Sequence, residues 1–573
     1  MTVQDTNPDG IGWREWSKAA FEEAREKGKL VLLDLTASWC HWCHVMDERT
    51  YADPEVARMI VDHFVPVRVD IDRRPDISER YNRGGFPTTA FLSDQGESIW
   101  GATYVPPGDM TRIMRSILDA KASGEVDLAL ERSRMHYLDL SRALERREQV
   151  DGQKVSSLFE DVFASYDIEY GGFGLDPKFP YPDAVDLLLE RFSETGDESL
   201  AAAAEFTLDQ MTDGLFDKVE GGVFRYSVTR NWHTPHYEKM LETNLGFLGN
   251  LVRAYKTLGK DKFAKTARGV TSYLLEELRD TDSGAFFGSQ DADEEYYKLA
   301  MPERSERGAP SIDRTVYAGW NSEAVSTLLF AGVVLKDSEL ARAGESAWTN
   351  LLDRLWDPEL KLVRHTEVQK VFLFDDQVSF LEALLAVLER SPEKKMFDLA
   401  ESLLEGTGTA FADPEGGFAD VVRDVEAIGG LESPRRPLVG NSRWARALAL
   451  YGAATHRPEL SEEAMRVLLS FPPKDVEAHG IFASSYVTAW RVLERGAASA
   501  EVHSGNEVDA LSNELWTSAK GVLDPGTIVL NVRDTGAEGE RPYAVLCTPK
   551  GCSSRMEEPA LLAEGIRKRV RRA

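Results

Sequence analysis

The sequence predicts a multidomain chain that is α/β at its start, all-α through its middle and α/β again at its end. Three observations carry this. Residues 30–35 (Leu-Val-Leu-Leu-Asp-Leu) are a short, β-rich apolar run feeding a helical pattern that opens at Cys40, and residues 64–71 are a second such run. Strand, helix and strand therefore follow one another as in a crossover sheet. From about residue 150 to 497 the pattern switches to helical periodicity with almost no strand runs, and after about 499 it turns mixed again. A chain of 573 residues also exceeds what one core can serve.

In the first unit, 1–125, residues 84–92 are a turn leading into a third strand. Asp94-Gln95-Gly96-Glu97 has hairpin-loop chemistry, 98–104 is the returning strand, and 111–121 is a closing helix. The second unit, 126–498, opens with a helical linker. Twelve helices then begin near Val155, Ala184, Leu200, Glu238, Phe263, Ser322, Leu340, Gln377, Lys395, Ser442, Ser461 and Ser484, enough for six hairpins. A recurring loop links them, at 167–173, 217–224, 280–286, a degenerate 357–362 and 413–418, which is the mark of a repeat architecture. Its glycines accept positive φ after a helix, so the loops read first as helix punctuation. The last unit, 499–573, holds a helix over 506–519, strands over 527–532 and 543–547, and a basic helix over 559–572.

With 42% hydrophobic and 28% charged residues the chain is globular, and its net charge of −29 argues against a nucleic-acid partner, which would need clustered Lys and Arg. Arg outnumbers Lys by about two to one, a balance shared by salt-adapted and ordinary acidic proteins. Residues 1–10 are polar, with no secretory apolar segment, and the longest apolar stretches, such as 328–335, are far too short to span a membrane. A cytoplasmic protein without a membrane partner is expected. Its only cysteines are Cys40, Cys43, Cys547 and Cys552, and in a reducing compartment two close pairs point to redox or metal chemistry.

Cys40 stands where a helix begins, so the dipole and free amides favour its thiolate, and Cys43, one turn deeper, is placed to resolve a mixed disulfide. Asp34, six residues upstream on the incoming strand, is a carboxylate able to take the resolving thiol's proton. Phe86-Pro87-Thr88 supplies a turn and Trp39 an apolar flank. His41, when protonated, would stabilise the Cys40 thiolate. Two rival readings use the same residues: Cys40-His41-Trp42-Cys43-His44 also fits c-type haem attachment, and a zinc site could take Cys40, Cys43 and a nearby His. The expectation is dithiol chemistry with no cofactor and no metal. Cys547 and Cys552 flank a turn and read as two unrelated thiols, with a second disulfide or a relay partner for Cys40 as the other readings.

Ala37-Ser38-Trp39-Cys40-His41-Trp42-Cys43, with Asp34 and Pro87, looks like a thioredoxin domain. That likeness implies Cys40 as nucleophile, Cys43 as resolver, Asp34 as proton acceptor and Pro87 as a cis proline facing the cysteines. The longer stretch through Glu48, with Asp53-Pro54-Glu55-Val56-Ala57 and Arg74-Pro75-Asp76, resembles the YyaL-like family, which includes the spermatogenesis-associated thioredoxin-domain proteins. Further matches are Gly221 to Ser227, Pro235 to Leu241, Gln290-Asp291-Ala292-Asp293, Trp320-Asn321, Asp375-Asp376 and Gly440-Asn441-Ser442. The resemblance implies an N-terminal thioredoxin-like fold joined to a central (α/α) six-hairpin toroid similar to those of six-hairpin glycosidases and N-acylglucosamine 2-epimerases, to which the residue pattern adds a small C-terminal α/β unit. Phe86 in place of the usual Trp, Glu242-Thr243 in place of a Tyr-Asp pair, and a shortened acidic segment at Glu294 to Tyr297 depart from the family pattern and bear on ligand identity.

His233, His236 and Glu238 cluster before a helix, beside Arg225 and Tyr226. A toroid would gather Asp291, Asp293, Trp320, Asn321, Asp375, Asp376 and Asn441 around the same funnel. Carboxylates and amides bind hydroxyls, aromatic faces stack on a sugar ring, and a His can remove a carbon-bound proton, while paired acids can hydrolyse a glycosidic bond. The bland alternatives are helix capping by the aspartates and core packing by Trp320. The expected function is a thiol–disulfide oxidoreductase acting on a protein or small-molecule thiol or disulfide, fused to a toroid with a carbohydrate ligand. The alternatives are a carbohydrate isomerase, epimerase or glycoside hydrolase with a structural or regulatory head, and a non-catalytic sugar-binding or scaffold protein.

Overall fold

The computed structural model describes residues 10–142, 150–422, 427–505, 509–533 and 541–571. They fall into two compact units, residues 1–147 with 421–435 and residues 148–420 with 436–573.

The first unit is built on a four-stranded sheet in the order β2-β1-β3-β4, formed by β1 (Leu30–Thr36), β2 (Phe64–Asp70), β3 (Thr88–Leu92) and β4 (Ser98–Ala102). β1 runs parallel to β2 and antiparallel to β3, and β3 antiparallel to β4, which is the thioredoxin-like arrangement. Six of the seven β1 residues are buried, as a central strand covered on both faces requires. Helices α1 (Lys18–Glu26), α2 (His41–Met46), α3 (Pro54–His63), α4 (Pro75–Tyr81) and α5 (Pro107–Ala122) surround the sheet. Asp53 caps α3, accepting from the amides of Glu55 (2.9 Å) and Val56 (3.1 Å) just ahead of Pro54, a residue whose missing N–H costs a helix start nothing. The hairpin turn at Gly96 is covered by residues from the 421–435 segment. Tyr81 donates to the Gly96 carbonyl (2.7 Å) and accepts from the Gly430 amide (2.8 Å), while Arg80 Nε donates to the Gly430 carbonyl (2.6 Å).

In the second unit twelve helices form six hairpins. The inner ones are Pro182–Thr195, Leu241–Leu258, Ala318–Val334, Phe374–Arg390, Leu438–Ala454 and Ser484–Arg495; each packs on the next and the last returns to the first, closing a toroid. Their partners outside are Glu198–Leu215, Asp261–Tyr273, Ser338–Asn350, Lys394–Phe411, Pro458–Leu469 and Gly152–Ala164. Inner helices are apolar nearly all round, as with Ala318–Val334, because they are buried between the outer ring and each other.

One device repeats at the start of four inner helices. Asn244, Asn321, Gln377 and Asn441, all essentially buried, each accept at 2.8 Å from one backbone amide of the preceding loop (Val223, Phe286, Val363 and Phe418) and donate to that residue's carbonyl. The side-chain amide thus satisfies both backbone groups of a buried loop residue that belongs to no long strand. The Gly-Gly-aromatic loops are punctuation with this clamp attached.

The chain ends in a second four-stranded sheet, of β5 (Ala498–Ser504), β6 (Thr527–Arg533), β7 (Tyr543–Thr548) and β8 (Gly551–Cys552), in the order β6-β5-β7-β8. β5 is parallel to β6 and antiparallel to β7, and β7 antiparallel to β8, so the strand order and directions repeat those of the first sheet. Cys547 and Cys552 lie opposite one another across β7 and β8 and form a disulfide, which corrects their reading as unrelated thiols. Among the described residues no helix is long and apolar enough to cross a membrane.

Candidate functional site

β1 delivers the chain to Cys40, which takes extended backbone as the N-cap of α2, and its Sγ accepts from the Cys43 amide at 3.3 Å. Cys40 and Cys43 form a disulfide. Both sulfurs are nearly covered, Cys40 keeping 4% of its surface and Cys43 2%. Beside them His41 and Trp42 stand exposed, with Trp42 48% accessible and packed on Tyr104 at 5.3 Å. Trp39 is buried, edge-on to Phe86 at 6.4 Å, and donates its indole N–H to Asp72 (2.5 Å). The Phe86–Pro87 peptide is cis. The loop ahead of it is held by Asn82, whose Oδ1 accepts from the amides of Gly84 (2.6 Å) and Gly85 (3.0 Å).

Asp34 is buried at the middle of β1 and is not alone there. Arg68, its register partner on β2, donates Nε to Oδ2 at 2.8 Å, and Tyr51 donates to Oδ1 at 3.1 Å. Arg68 also pairs with Asp47 and lies over the ring of Trp13 at 4.2 Å. Burial pushes the Asp34 carboxyl up to about 6, against the pull of Arg68. Arg68, Tyr51 and Asp47 were not among the residues expected here. Arg68 alone has a signal in the sequence, a charge inside the otherwise apolar run Phe-Val-Pro-Val-Arg-Val.

In the toroid the structure brings part of the expected set together. His236 Nδ1 pairs with Glu238 Oε2, Tyr226 stacks on the His236 ring at 4.9 Å, and the Arg225 amide donates to the Glu238 carbonyl (2.8 Å). Glu238 is fully buried, and its Oε1 has no hydrogen-bond partner among the described residues. His365, which sequence reasoning missed, pairs through Nδ1 with Asp376 at 2.9 Å, and Asp376 also accepts from the Gly319 amide at 2.9 Å. Trp320 is half-buried against Tyr317 at 4.6 Å. Asp375, in the first turn of the inner helix Phe374–Arg390, is exposed, yet desolvation by the surrounding protein pushes its carboxyl up to about 6, against the pull of Arg443. Glu242 and Glu323 are pushed up by the same desolvation, opposed by Arg225 and Arg443 respectively.

Other expected members lie elsewhere or are otherwise engaged. Asn321 and Asn441 are the backbone clamps described above. Asp293 caps a short helix, accepting from the Tyr296 amide (2.9 Å), and pairs with Arg307. Asp291 is bonded within its own loop to the Ala292 amide at 2.7 Å. His233 is exposed in a turn, its amide donating to Asn231 (3.2 Å).

Residues 2–126 match the family model Thioredox_DsbH, described as a protein of unknown function, DUF255. The N-terminal unit carries this thioredoxin-like domain. The DsbH-type domain is 34% identical over 91 residues to a thioredoxin H-type from Fagopyrum esculentum, a match covering 16% of this chain and 74% of that one. The chain is also 31% identical over 348 residues to spermatogenesis-associated protein 20 from Homo sapiens, covering 56% of this chain and 42% of the human protein. The matched stretch thus spans less than half of that relative. A solved structure of D-mannose isomerase superposes with a TM-score of 0.46 at 11% identity, covering 60% of this chain and 98% of that one.

Proposed function

We propose that the DsbH-type domain is a thiol–disulfide oxidoreductase in which Cys40 and Cys43 cycle between dithiol and disulfide. The observation that carries this is Cys40 at the N-cap of α2 with the Cys43 amide on its sulfur, a placement that stabilises a thiolate. The Cys40 thiolate attacks a disulfide of the partner, forming a mixed disulfide and releasing one partner thiolate, which takes up a proton. Cys43, its proton passing to Asp34, attacks the Cys40 sulfur. The second partner thiol leaves and the pair keeps the disulfide, two electrons having moved to the partner. Arg68 and Tyr51 hold the Asp34 carboxylate in place between proton transfers. Exposed Trp42 offers an apolar surface for a protein partner. Insulin reduction by wild type and Cys40→Ser tests the proposal: the substitution abolishes turnover, and turnover that survives it overturns the assignment.

A second reading concerns the toroid. The His236–Glu238 pair, beside the stacked Tyr226 and near Arg225, supports binding of a carbohydrate, with His236 exchanging a carbon-bound proton. Solvent-deuterium exchange into free monosaccharides, lost on His236→Ala, is the expected result. Exchange unchanged by the substitution removes His236 from the role.

A further inference from the structure

The C-terminal sheet carries a cluster that the thiol chemistry of the N-terminal domain does not use. On one face of β5, Ser499, Glu501 and His503 alternate with the buried Ala498, Ala500 and Val502 of the other. Cys547 lies opposite Ser499 on β7, and therefore on the same face as Glu501. His456, just beyond the inner helix Leu438–Ala454, reaches in from outside the sheet with its Nε2 3.0 Å from Glu501 Oε1. The ligand atoms of His456, Glu501 and Cys547 all lie within 4.8 Å of one another, and among the described residues this is the only such cluster of metal-ligating side chains.

His456 takes the left-handed backbone (φ 54) that ends the inner helix Leu438–Ala454, as Lys336 (φ 56) does after Ala318–Val334, so its place beside the sheet is set by the helix stop. One further feature points to a ligand. Glu501 is oriented from three sides: Ser499 donates to Oε1 at 3.0 Å, His456 approaches the same oxygen, and His503 approaches Oε2 at 3.5 Å. This is the surrounding hydrogen bonding that fixes a ligating carboxylate. Thiolate, imidazole and carboxylate are the zinc donor set, with bonds of about 2.0 to 2.3 Å that put neighbouring ligand atoms roughly 3 to 4 Å apart. Cys547 is the sulfur of this set, and Cys552, joined to it across β7 and β8, becomes a second thiol when the pair is reduced.

We propose that His456, Glu501, Cys547 and Cys552 form a redox-gated site for a zinc-class divalent cation, shut while the two cysteines are joined and open when they are reduced. A dithiol reductant cleaves the Cys547–Cys552 bond, itself becoming a disulfide, and two thiols result. Each thiol loses its proton as the cation binds. Oxidation of the pair, with its two electrons passing to a disulfide, expels the metal. Exposed His456 provides the way in for the cation, and exposed Cys552 the way in for the reductant, while Cys547 is nearly buried.

Cobalt(II) titration of the full chain is the test, done with Cys40→Ser and Cys43→Ser in place so that no other cysteines contribute. The pre-reduced protein takes up one equivalent with thiolate-to-cobalt absorption in the near ultraviolet, and the oxidised protein does not. His456→Ala weakens binding by at least about tenfold. Cys552→Ser, which leaves Cys547 free, binds with the same thiolate signature without any reductant. Equal binding to oxidised and reduced protein, or a reduced-state signal that His456→Ala and Glu501→Gln both leave unchanged, overturns the proposal.

Discussion

Arg68 Nε lies 2.8 Å from Asp34 Oδ2, so the central strand of the thioredoxin-like sheet is joined to its neighbour by a buried charge pair as well as by its ladder. The pair does not fully offset the cost of burying the carboxylate, since Asp34 still titrates near 6 against 3.8 when free. A folded value above the unfolded one means that the native state holds the proton more tightly. Stability from this group is therefore complete below about pH 4 and is lost as pH rises through 6. Asp34→Asn is expected to gain roughly 1 to 3 kcal/mol at pH 8 and nothing at pH 3, read from urea midpoints at both pH values.

The same substitution separates stability from chemistry. With no carboxylate to receive the Cys43 proton, the resolving step slows by at least about a hundredfold at pH 7, while the first attack by Cys40 keeps its rate. A mixed disulfide with substrate should accumulate in Asp34→Asn and be visible by quenched-flow mass spectrometry. If resolution is as fast as in wild type, Asp34 only shapes the sheet.

What the sequence made legible follows from which signals are local. All twelve toroid helices begin within a few residues of where the periodicity puts them, because a 3.6-residue apolar stripe is written along the chain itself. β5 escaped notice although its Ala-Ser-Ala-Glu-Val-His-Ser alternation is regular, because Ala and Ser are weak strand formers that packing here overrides. Arg68 could not be aimed at Asp34 from sequence, since a strand buried on both faces has no polar side against which an inward charge stands out. The pairing of Cys547 with Cys552 depends on the β7–β8 hairpin, whose second strand is two residues long and leaves no periodic trace. In the toroid the asparagines were the ambiguous residues. An Asn at the start of an inner helix has the same spacing whether it faces a ligand or clamps the preceding loop.

The clamp reading has a measurable consequence. Asn321→Ala strands the amide and carbonyl of Phe286, both fully buried, and is expected to cost about 2 to 4 kcal/mol in chemical denaturation. Asn441→Ala acts on Phe418 in the same way. A loss below about 0.5 kcal/mol in both would mean that the loops hold without their amides and would return these residues to the ligand site.

Glu238 presents the opposite case. It is fully buried, one oxygen faces His236, and the other has no hydrogen-bond partner among the described residues, an arrangement that costs stability unless something uses it. Glu238→Gln keeps the shape and removes the charge, so the fold should be as stable or slightly more so, with the thermal midpoint unchanged or raised. His236 then lacks the carboxylate that orients its ring, and proton exchange into a bound sugar falls about a hundredfold or more. A protein that loses more than about 2 kcal/mol on this substitution while exchange is unaffected would make the pair a structural ion pair, with the carbohydrate reading withdrawn along with it.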